Sequence, residues 1–578
     1  MCPKDDDSCL PSDLKQALKY SEKPNEQSAR AISQFRETLL ARYEIESDWP
    51  VEVVEELTQI GEELPGSKNA SVLNLTHLTF VTIDGEDAKD FDDAVFCEQA
   101  GIEFHLDVAI ADVSRWVEPG GAVDREASKR GNSVYLPGYV VPMLPELLSN
   151  DLCSLRAGER RQVLGRRMRI NSQGVILGHD FVEAEIVSAA RLTYEAASEF
   201  LTKQKDDSVP SFTPEVEKNL LALSVVSELL FARRMREGSL HLVFPETVAS
   251  FSPQGFVQEL SSRPRLQAAC LIEECMLAAN VCAAQRLDTW FQSAMYRCHD
   301  TPEPDGLRAL RDVFSLYGFK IKLSGDLVGS TLNDALKSVP GDHPASMSLQ
   351  MLVLRSMKQA YYSRALGRHF GLGFSAYTHF TSPIRRYPDL IAHRMLKETL
   401  GYPASGGARF DDSELSFLAE HCSVTERAAE AAEREMMTWL KTEFMARFLG
   451  EEFSGTVSGV TAFGVFITLE TFPVDGLVHI SDLGGDYFEF DERFMTLTGR
   501  RSGRTLRLGD LLTVRVAGTD LQEGKISFLP AAAQTIAGLI FGFLVEQKAY
   551  PINITSLTSS DLENGILDQV GGYYREHF

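Results

Sequence analysis

The spacing of apolar and polar positions divides the chain into segments that predict different structures. Helical spacing in "QSARAISQFRETLLARYEI" and "WPVEVVEELTQIGEELPG" predicts two helices within residues 31–72, after a polar stretch, residues 1–30, that we expect to be disordered. Runs rich in β-forming residues, such as "LTFVTI" and "EFHLDVAIADVSRWV", follow from Leu73. Helical segments such as "QAACLIEECMLAANVCAAQRL" dominate from about residue 215. This mixture predicts one large α+β domain over residues 73–447.

A different pattern begins after Gly450, where short apolar runs alternate with glycine turns. The runs are "FSGTVSGVTAFGVFITL", "VDGLVHISDL", "LLTVRVAGTDL" and "KISFL". They predict a small closed β-barrel of the OB type over residues 449–528. The last stretch, residues 529–578, has a short apolar centre and no basic run, and its sequence indicates no role.

The segment "VTIDGEDAKDFDDAVF" crowds acidic side chains between two apolar runs. "TFVTI" has strand propensity, so we place Asp84 at the end of one strand and expect the next strand to begin after the acidic loop. In an extended "DFDD", Asp90 and Asp92 project to one side while Phe91 is free to bury on the other. Asp93 is close enough to join them through the turn.

Crowded carboxylates raise one another's pKa values unless cations neutralise them. Mg²⁺ or Mn²⁺, hard cations that prefer oxygen, would compensate the charge. A solvated acidic loop is the alternative, and the apolar flanks count against it. A calcium loop of the EF-hand type is excluded because its glycine belongs at the sixth position, where this segment has Lys89. A general acid/base pair would need only two of the acids.

The segment "YTHFTSPIRRYPDLIAHR" carries helix-start signals. Thr381 and Ser382 are N-cap candidates and Pro383 suits the first helical position, so we predict that a helix begins there. Pro388, five residues further on, leaves the continuity of that helix open.

Two arginines fall in or near this predicted first turn. Arg385 and Arg386 would join free backbone N–H groups in a phosphate site. Asp389, four residues after Arg385, would brace its guanidinium if the helix continues. An exposed helix with an ordinary salt bridge is the alternative.

Composition restricts the function classes. The chain has 578 residues, 44% of them hydrophobic and 24% charged, which predicts about two to four globular domains. Its net charge of −25 counts against strong nucleic-acid binding, unless a local groove or bound cations oppose it. The nine cysteines form no Cys-x-x-Cys pair or compact Cys/His cluster, which predicts reduced, buried thiols. No apolar run looks long enough to span a bilayer, so we expect a cytoplasmic protein.

Several segments resemble the ribonuclease II and ribonuclease R family, whose catalytic domain is called RNB. "TIDGEDAKDFDDAV" looks like the signature of that domain, and "RGNSVYLPGYVVPMLPELLSNDLCSL", "LIEECMLAAN" and "YTHFTSPIRRYPDLIAHR" follow in the family's order. "GTVSGVTAFGVFI" and "DGLVHISDL" resemble its C-terminal S1 domain. The resemblance covers roughly residues 35–528. It implies an α+β RNB catalytic domain followed by a small S1 barrel.

The resemblance also implies roles for individual residues. It makes Asp84, Asp90, Asp92 and Asp93 the ligands of Mg²⁺, with Mn²⁺ as a substitute. It makes Asp92, Arg385 and Tyr135 the catalytic set, in which Arg385 contacts the scissile phosphate and Tyr135 stacks near the 3′ end. The residues that match RNA-contacting positions are Tyr194, Phe244, Glu273, Glu274 and Arg386 in the RNB domain and Phe463, Phe466 and His479 in the S1-like barrel. For the aromatic residues, the alternative is a place in the protein core.

The implied activity is Mg²⁺-dependent 3′→5′ hydrolysis of single-stranded RNA to nucleoside 5′-monophosphates. The alternative is a catalytically weak or inactive RNA-binding regulator, which would have lost at least one aspartate, and none is lost. The family's cold-shock domains and lysine-rich tail have no counterpart here, so we expect weaker RNA binding. We expect a monomer that acts on single-stranded RNA, with no DNA substrate and no membrane.

Overall fold

The computed structural model describes residues 26–62, 72–203, 211–321, 328–401 and 410–531. Helix α1 (Glu26–Arg42) and helix α2 (Val51–Glu62) open the described chain. Residues 26–30, expected to be disordered, are therefore helical. The expectations for residues 1–25 and 532–578 lie outside the described residues.

A six-stranded sheet forms the centre of the first part of the chain. The strands of the sheet are β1 (Leu73–Asn74), β2 (Phe80–Asp84), β3 (Asp93–Ala100), β4 (Glu103–Ala111), β7 (Arg160–Ile170) and β8 (Ile176–Thr193). Strands β5 (Val134–Leu136) and β6 (Tyr139–Val141) form a separate hairpin. The order in the sheet is β1-β8-β2-β3-β4-β7. The long strand β8 pairs antiparallel with β7 through its first part and parallel with β2 through its last part. The sheet therefore wraps round on itself.

Helices cover this sheet and extend towards the C-terminal barrel. They are α3 (Ala122–Arg130), α4 (Tyr194–Thr202), α5 (Pro214–Arg236), α6 (Gln267–Trp290), α7 (Pro304–Leu316), α8 (Val328–Ser338), α9 (Ser346–Ser356), α10 (Tyr387–Thr399) and α11 (Asp412–Met445). Short helical turns lie at Val113–Arg115, Leu147–Leu152, Ala446–Phe448 and Ile480–Asp482. Two further strand pairs are β9 (Glu246–Phe251) with β10 (Val257–Arg263) and β11 (Tyr296–Cys298) with β12 (Tyr361–Ser363).

The end of the described chain is a closed five-stranded barrel with an inserted three-stranded sheet. The strands are β13 (Glu452–Thr461), β14 (Gly464–Leu469), β15 (Asp475–His479), β16 (Phe488–Asp491), β17 (Thr496–Gly499), β18 (Thr505–Leu506), β19 (Leu511–Asp520) and β20 (Lys525–Pro530). The barrel order is β13-β14-β15-β20-β19, and β16–β18 form the insertion. The predicted fold class, an α+β domain followed by a small OB-type barrel, is confirmed.

In the part of the chain that the structure describes, buried apolar side chains form two clusters. One surrounds the central sheet with α5, α6 and α10, and the other joins α1, α7–α9, the end of α11 and the barrel. Helix α6 is long and apolar enough to cross a membrane, so the sequence reading that no run reaches that length was wrong. However, 67% of its most apolar stretch is buried, and it packs against the sheet, as expected for a core helix. All seven cysteines among the described residues are free, and all but Cys270 are buried.

Candidate active site

The acidic loop joins two neighbouring strands of the central sheet. Asp84 is the last residue of β2 and Asp93 is the first residue of β3, and these strands pair antiparallel. Between them Phe91 is buried, as its place in "DFDD" predicted, and Asp92 is 4% exposed. The sequence therefore correctly placed the acids at a strand–loop–strand junction.

Hydrogen bonds from other segments hold this loop in shape. The Ser154 hydroxyl accepts from the N–H of Phe91 at 3.1 Å and donates to the carbonyl of Lys89 at 2.7 Å. The N–H of Ala111 donates to the carbonyl of Asp92 at 2.8 Å. Because these contacts fix the backbone on both sides of Phe91, the carboxylates are presented by a rigid frame.

Burial and mutual repulsion raise the pKa values of three of the aspartates. Burial raises the pKa of Asp84 to about 8, with further contributions from Asp93 and Asp90. Burial also raises the pKa of Asp93 to about 6, against the field of Arg385. The pKa of Asp92 lies well above its ordinary value for the same main reason. The predicted upward shift is present, and it means that ionising these groups together is costly without a cation.

A turn formed by residues 382–386 faces the loop. Its backbone runs beside another segment: the N–H of Ser133 donates to the carbonyl of Arg385, and the N–H of Tyr387 donates to the carbonyl of Gly131, both at 2.9 Å. Asn132 and Arg386 form an isolated β-bridge. The predicted helix start near Thr381 was wrong, because α10 begins only at Tyr387 and has Pro388 in its first turn.

This turn brings an arginine and a backbone donor to Asp92. The N–H of Ile384 donates to Asp92 Oδ1 at 2.9 Å, and Arg385 Nε lies 3.5 Å from Asp92 Oδ2. The Arg385 side chain is 42% exposed. Asp389 braces Arg386, at 2.7 Å, and not Arg385 as predicted, because the turn is not helical. Arg386 therefore supports the turn, and Arg385 is the more exposed cation beside the carboxylates.

Tyr135 on β5 also reaches the acidic loop. Its hydroxyl donates to Asp90 Oδ2 at 3.1 Å, and its side chain is 39% exposed. It lines a small cavity of about 220 Å³ together with Arg385 and Arg386. The core alternative for Tyr135 is therefore not supported, since an exposed ring beside the carboxylates is available for stacking.

Tyr194 and Phe244 line a larger cavity, of about 1020 Å³, beside the stretch Gly85–Ala88 of the acidic loop. Both side chains are partly exposed. Burial raises the pKa of Tyr194, and the nearby Asp84 and Asp93 raise it further, so this ring lies within the field of the aspartates. The two aromatic residues are thus brought together next to the site.

The two predicted glutamates on α6 face different surroundings. Glu273 pairs with Arg265, which lines the cavity of Tyr194 and Phe244. Glu274 is buried and pairs with Arg234, and both line a separate cavity. Only Glu273 is therefore connected to the cavity beside the acidic loop.

Of the three predicted residues of the barrel, Phe463 and His479 are exposed and Phe466 is partly buried. Phe463 is 49% exposed, and its ring lies 6.1 Å from the ring of Phe466 at nearly a right angle. His479 is exposed and pairs in register with Gly464, next to Phe463. Phe463 and His479 thus lie outside the barrel core.

The sequence reading missed residues that hold the acidic loop from a distance. Arg191 on β8 donates from Nη2 to the carbonyl of Gly85 at 2.7 Å and also bonds the carbonyl of Glu86. No local pattern reveals this contact, because it depends on the pairing of β8 with β2. Ser154, in contrast, lies inside "SNDLCSL", a segment already singled out.

The carboxylates suit a hard cation, although they do not form a complete set of metal ligands by themselves. Among the described residues, no three Asp, Glu, His or Cys side chains are gathered closely enough to hold a metal ion by themselves. Asp84 lies in the field of Asp90 and Asp93, and Asp92 lies in the field of the same two groups. Mg²⁺ usually keeps several waters and takes only one or two carboxylates besides substrate phosphates. The carboxylate oxygens of these aspartates therefore fit Mg²⁺.

Comparison with known proteins identifies the class to which this fold and site belong. A model of the RNB domain matches residues 72–402, and a model of the S1 RNA binding domain matches residues 447–529. This chain belongs to the RNB family.

Among its relatives are the ribonuclease R proteins of two bacteria. The chain is 38% identical over 546 residues to ribonuclease R of Escherichia coli, covering 93% of this chain and 65% of that protein. It is 39% identical over 486 residues to ribonuclease R of Thermotoga maritima, covering 83% and 68%. The chain thus spans less than two thirds of the length of the Escherichia coli relative.

Solved structures show the same architecture. Mycoplasma genitalium RNase R in complex with ribose methylated single-stranded RNA is 30% identical, with a TM-score of 0.78 over 86% of this chain and 77% of that one. The same protein in complex with double-stranded RNA gives a TM-score of 0.73 at 28% identity, over 86% and 82%. These neighbours agree with the α+β domain and barrel described above.

Proposed function

We propose that this chain is a Mg²⁺-dependent exoribonuclease that degrades single-stranded RNA from the 3′ end and releases nucleoside 5′-monophosphates. The observation that carries the proposal is the meeting of a four-aspartate loop with Arg385 at Asp92. Similarity to ribonuclease R proteins supports the reaction class, and the solved relative with single-stranded RNA supports the substrate.

In this proposal Asp84, Asp90, Asp92 and Asp93 hold Mg²⁺, or Mn²⁺ in its place. The bound ion supplies Lewis acidity, which favours attack by water on the phosphate and departure of the 3′ oxygen. Binding of a divalent cation would be favourable here, because it would offset the cost of burying these carboxylates in their charged form.

The chain's own residues bind and orient the strand. Arg385 has more N–H donors than its contacts with Asp92 and Ser382 use, and its exposed guanidinium contacts the scissile phosphate. Tyr135 stacks on the terminal base beside Asp90. Tyr194 and Phe244 hold further bases in the adjoining cavity.

RNA is preferred over DNA through a carboxylate that accepts from the ribose hydroxyl. Glu273 is the better candidate for this role, because Glu274 is buried and paired with Arg234. Phe463 and His479, with the partly buried Phe466 beside them, give the barrel an aromatic surface for accessory RNA contact. We expect a cytoplasmic monomer with no DNA substrate.

Digestion of 5′-labelled poly(A), with Mg²⁺ or with EDTA, tests the function. We expect stepwise shortening from the 3′ end only with the metal. Asp92→Asn should lower turnover at least about a hundredfold with RNA affinity nearly intact. Asp342→Asn, which changes an exposed aspartate that lines neither the cavity of Tyr135 nor the cavity of Tyr194 and Phe244, is the matched control and should stay within about twofold.

The proposal would be contradicted if the unmodified protein bound poly(A) but did not shorten it with either Mg²⁺ or Mn²⁺. That outcome would identify an RNA-binding regulator on the same fold. Equal turnover of Asp92→Asn and Asp342→Asn would instead remove Asp92 from the catalytic set.

A further inference from the structure

A second cavity lies along a different face of α6. Its volume is about 470 Å³, and it lies between α5, α6 and the stretch Arg368–Ala376. On α6 it is lined by Glu274, Leu277, Ala278, Val281 and Gln285, which share one helix face. Of the residues of α6, only Ala269 lines the cavity beside the acidic loop, and it does not line the second cavity. Of the residues predicted from the sequence, only Glu274 lines this second cavity.

Apolar side chains form one part of the cavity wall, beside a group of charged and polar side chains. Leu230 of α5, Leu277 of α6 and Phe374 of the loop supply flat or branched apolar surface. A volume in this range is typical of small-molecule sites lined by apolar side chains with a few polar groups. A planar base would bury its faces against these side chains.

The charged residues around the cavity leave a positive excess. Arg234 is neutralised by Glu274 in a buried pair, and Arg233 is paired with Glu237 at 2.8 Å. Arg368 is exposed, and its side chain has no hydrogen-bond or ion-pair partner among the residues that the structure describes. On a chain with a net charge of −25, this local cation marks a place where an anion would be favoured.

The cavity wall is already fixed by close packing. Gly373 has φ +73°, and a Cβ at this position would come within 2.8 Å of the backbone nitrogen of Ser239. Arg234 bonds the Ser239 hydroxyl, and the N–H of Leu240 donates to the carbonyl of Gly371 at 2.9 Å. A preformed wall lowers the entropy cost of binding a ligand.

We propose that this cavity binds a nucleoside monophosphate, with the base against Leu230, Leu277 and Phe374 and the phosphate at Arg368. Inorganic phosphate would leave the apolar walls uncovered, and a nucleoside without phosphate would leave Arg368 unpaired. The site is separate from the aspartates. Its binding goes beyond the proposed exoribonuclease function and requires neither hydrolysis nor Mg²⁺.

Calorimetric titration with AMP in EDTA tests the proposal. The protein is first saturated with a 2′-O-methyl oligonucleotide, so that the site at the aspartates is occupied. We expect one equivalent of AMP to bind still, and more tightly than adenosine or inorganic phosphate. Arg368→Glu should weaken AMP binding at least about tenfold, because a charge-assisted contact becomes a repulsive one.

Two further variants test whether AMP binds in this cavity and not elsewhere on the protein. Ala278→Phe fills the cavity and should abolish AMP binding, whereas Arg355→Glu changes an exposed arginine outside the cavity and should leave it unchanged. Circular dichroism of each variant establishes that it is folded. AMP binding that the oligonucleotide abolishes, or that Tyr194→Ala weakens while Arg368→Glu and Ala278→Phe do not, would overturn the proposal. Equal affinities for AMP and adenosine would overturn the phosphate assignment.

Discussion

The charge of Asp84 affects the stability of the protein, apart from the role that we propose for it in metal binding. Burial, then the fields of Asp93 and Asp90, raise the pKa of Asp84 to about 8. An unfolded chain has an aspartate pKa near 4, so the folded state holds this proton more tightly. Ionised Asp84 therefore costs free energy of folding, and this cost grows as the pH rises from about 4 to 8.

We predict that Asp84→Asn stabilises the metal-free protein, because the amide has the same shape without the charge. In EDTA at pH 8 the free energy of unfolding should rise by roughly 2–5 kcal/mol. The gain should vanish near pH 4 and shrink when Mg²⁺ stabilises the unmodified protein. Thermal melts across pH, with and without Mg²⁺, measure this. A variant that is less stable than the unmodified protein at pH 8 would contradict the cause given for the raised pKa.

Tyr135 has an exposed ring, for which we propose stacking, and a hydrogen bond to Asp90, and two substitutions separate the two features. We predict that Tyr135→Ala lengthens the smallest product without stopping hydrolysis, since it removes the ring but no metal ligand. Tyr135→Phe keeps the ring and should leave the product length unchanged. High-resolution gels of a labelled oligomer measure both. An unchanged product ladder for Tyr135→Ala would count against stacking on the 3′ end.

At the scale of secondary-structure elements, the two halves of the site were predictable to different degrees. The position of the acidic loop follows from local pattern, because apolar strand residues flank it on both sides. The start of α10 does not, because Arg386 is extended with φ −137° and bridges to Asn132, far away in the sequence. This tertiary contact overrides the capping signal at Thr381. Pro388, which left the helix in doubt, occupies its first turn, where proline is favoured.

Gly131 lies where residues 131–133 run beside the turn formed by residues 382–386. It has φ +70°, and a Cβ there would come within 2.2 Å of the Thr425 hydroxyl oxygen. We predict that Gly131→Ala lowers the free energy of unfolding by at least about 2 kcal/mol through strain and overlap. Gly158→Ala is the matched control, because Gly158 has φ +80° but open space around it. Chemical denaturation of both variants measures the difference, and equal losses would show that the overlap with Thr425 is relieved without cost.

At the scale of the whole molecule, the buried His393 and the partly buried Asp84 have opposite effects on stability as the pH falls. Acid lowers the stabilising contribution of neutral His393, whereas it removes the cost of the Asp84 charge. Burial lowers the pKa of His393 to about 4; its Nε2 lies 2.8 Å from the carbonyl oxygen of Phe380, and its ring stacks on the Phe380 ring. Its pKa in the unfolded chain is near 6.5, so the unfolded state gains the proton first as the pH falls. The stability due to neutral His393 is present above pH 6.5 and is lost towards pH 4, by about 3 kcal/mol.

We predict that His393→Gln flattens the fall in the free energy of unfolding between pH 6.5 and 4.5, because glutamine does not take up the proton. His77→Gln, which changes an exposed histidine, is the control and should keep the slope of the unmodified protein. Urea denaturation at several pH values measures the slopes. Parallel curves for the two variants would show that His393 is not the group that titrates.

The hydrogen bond between Ile384 and Asp92 joins residues 292 positions apart, and this separation has a consequence for biosynthesis. At a translation rate of about 5–20 residues per second, the acidic loop is made roughly 15–60 s before the turn that carries Arg385. Strand β2 must likewise wait for the end of β8 before it is paired on both sides. The nascent chain therefore carries its aspartates without their arginine while it grows by 292 positions. The contact between Asp92 and the turn formed by residues 382–386 forms only after that turn has left the ribosome.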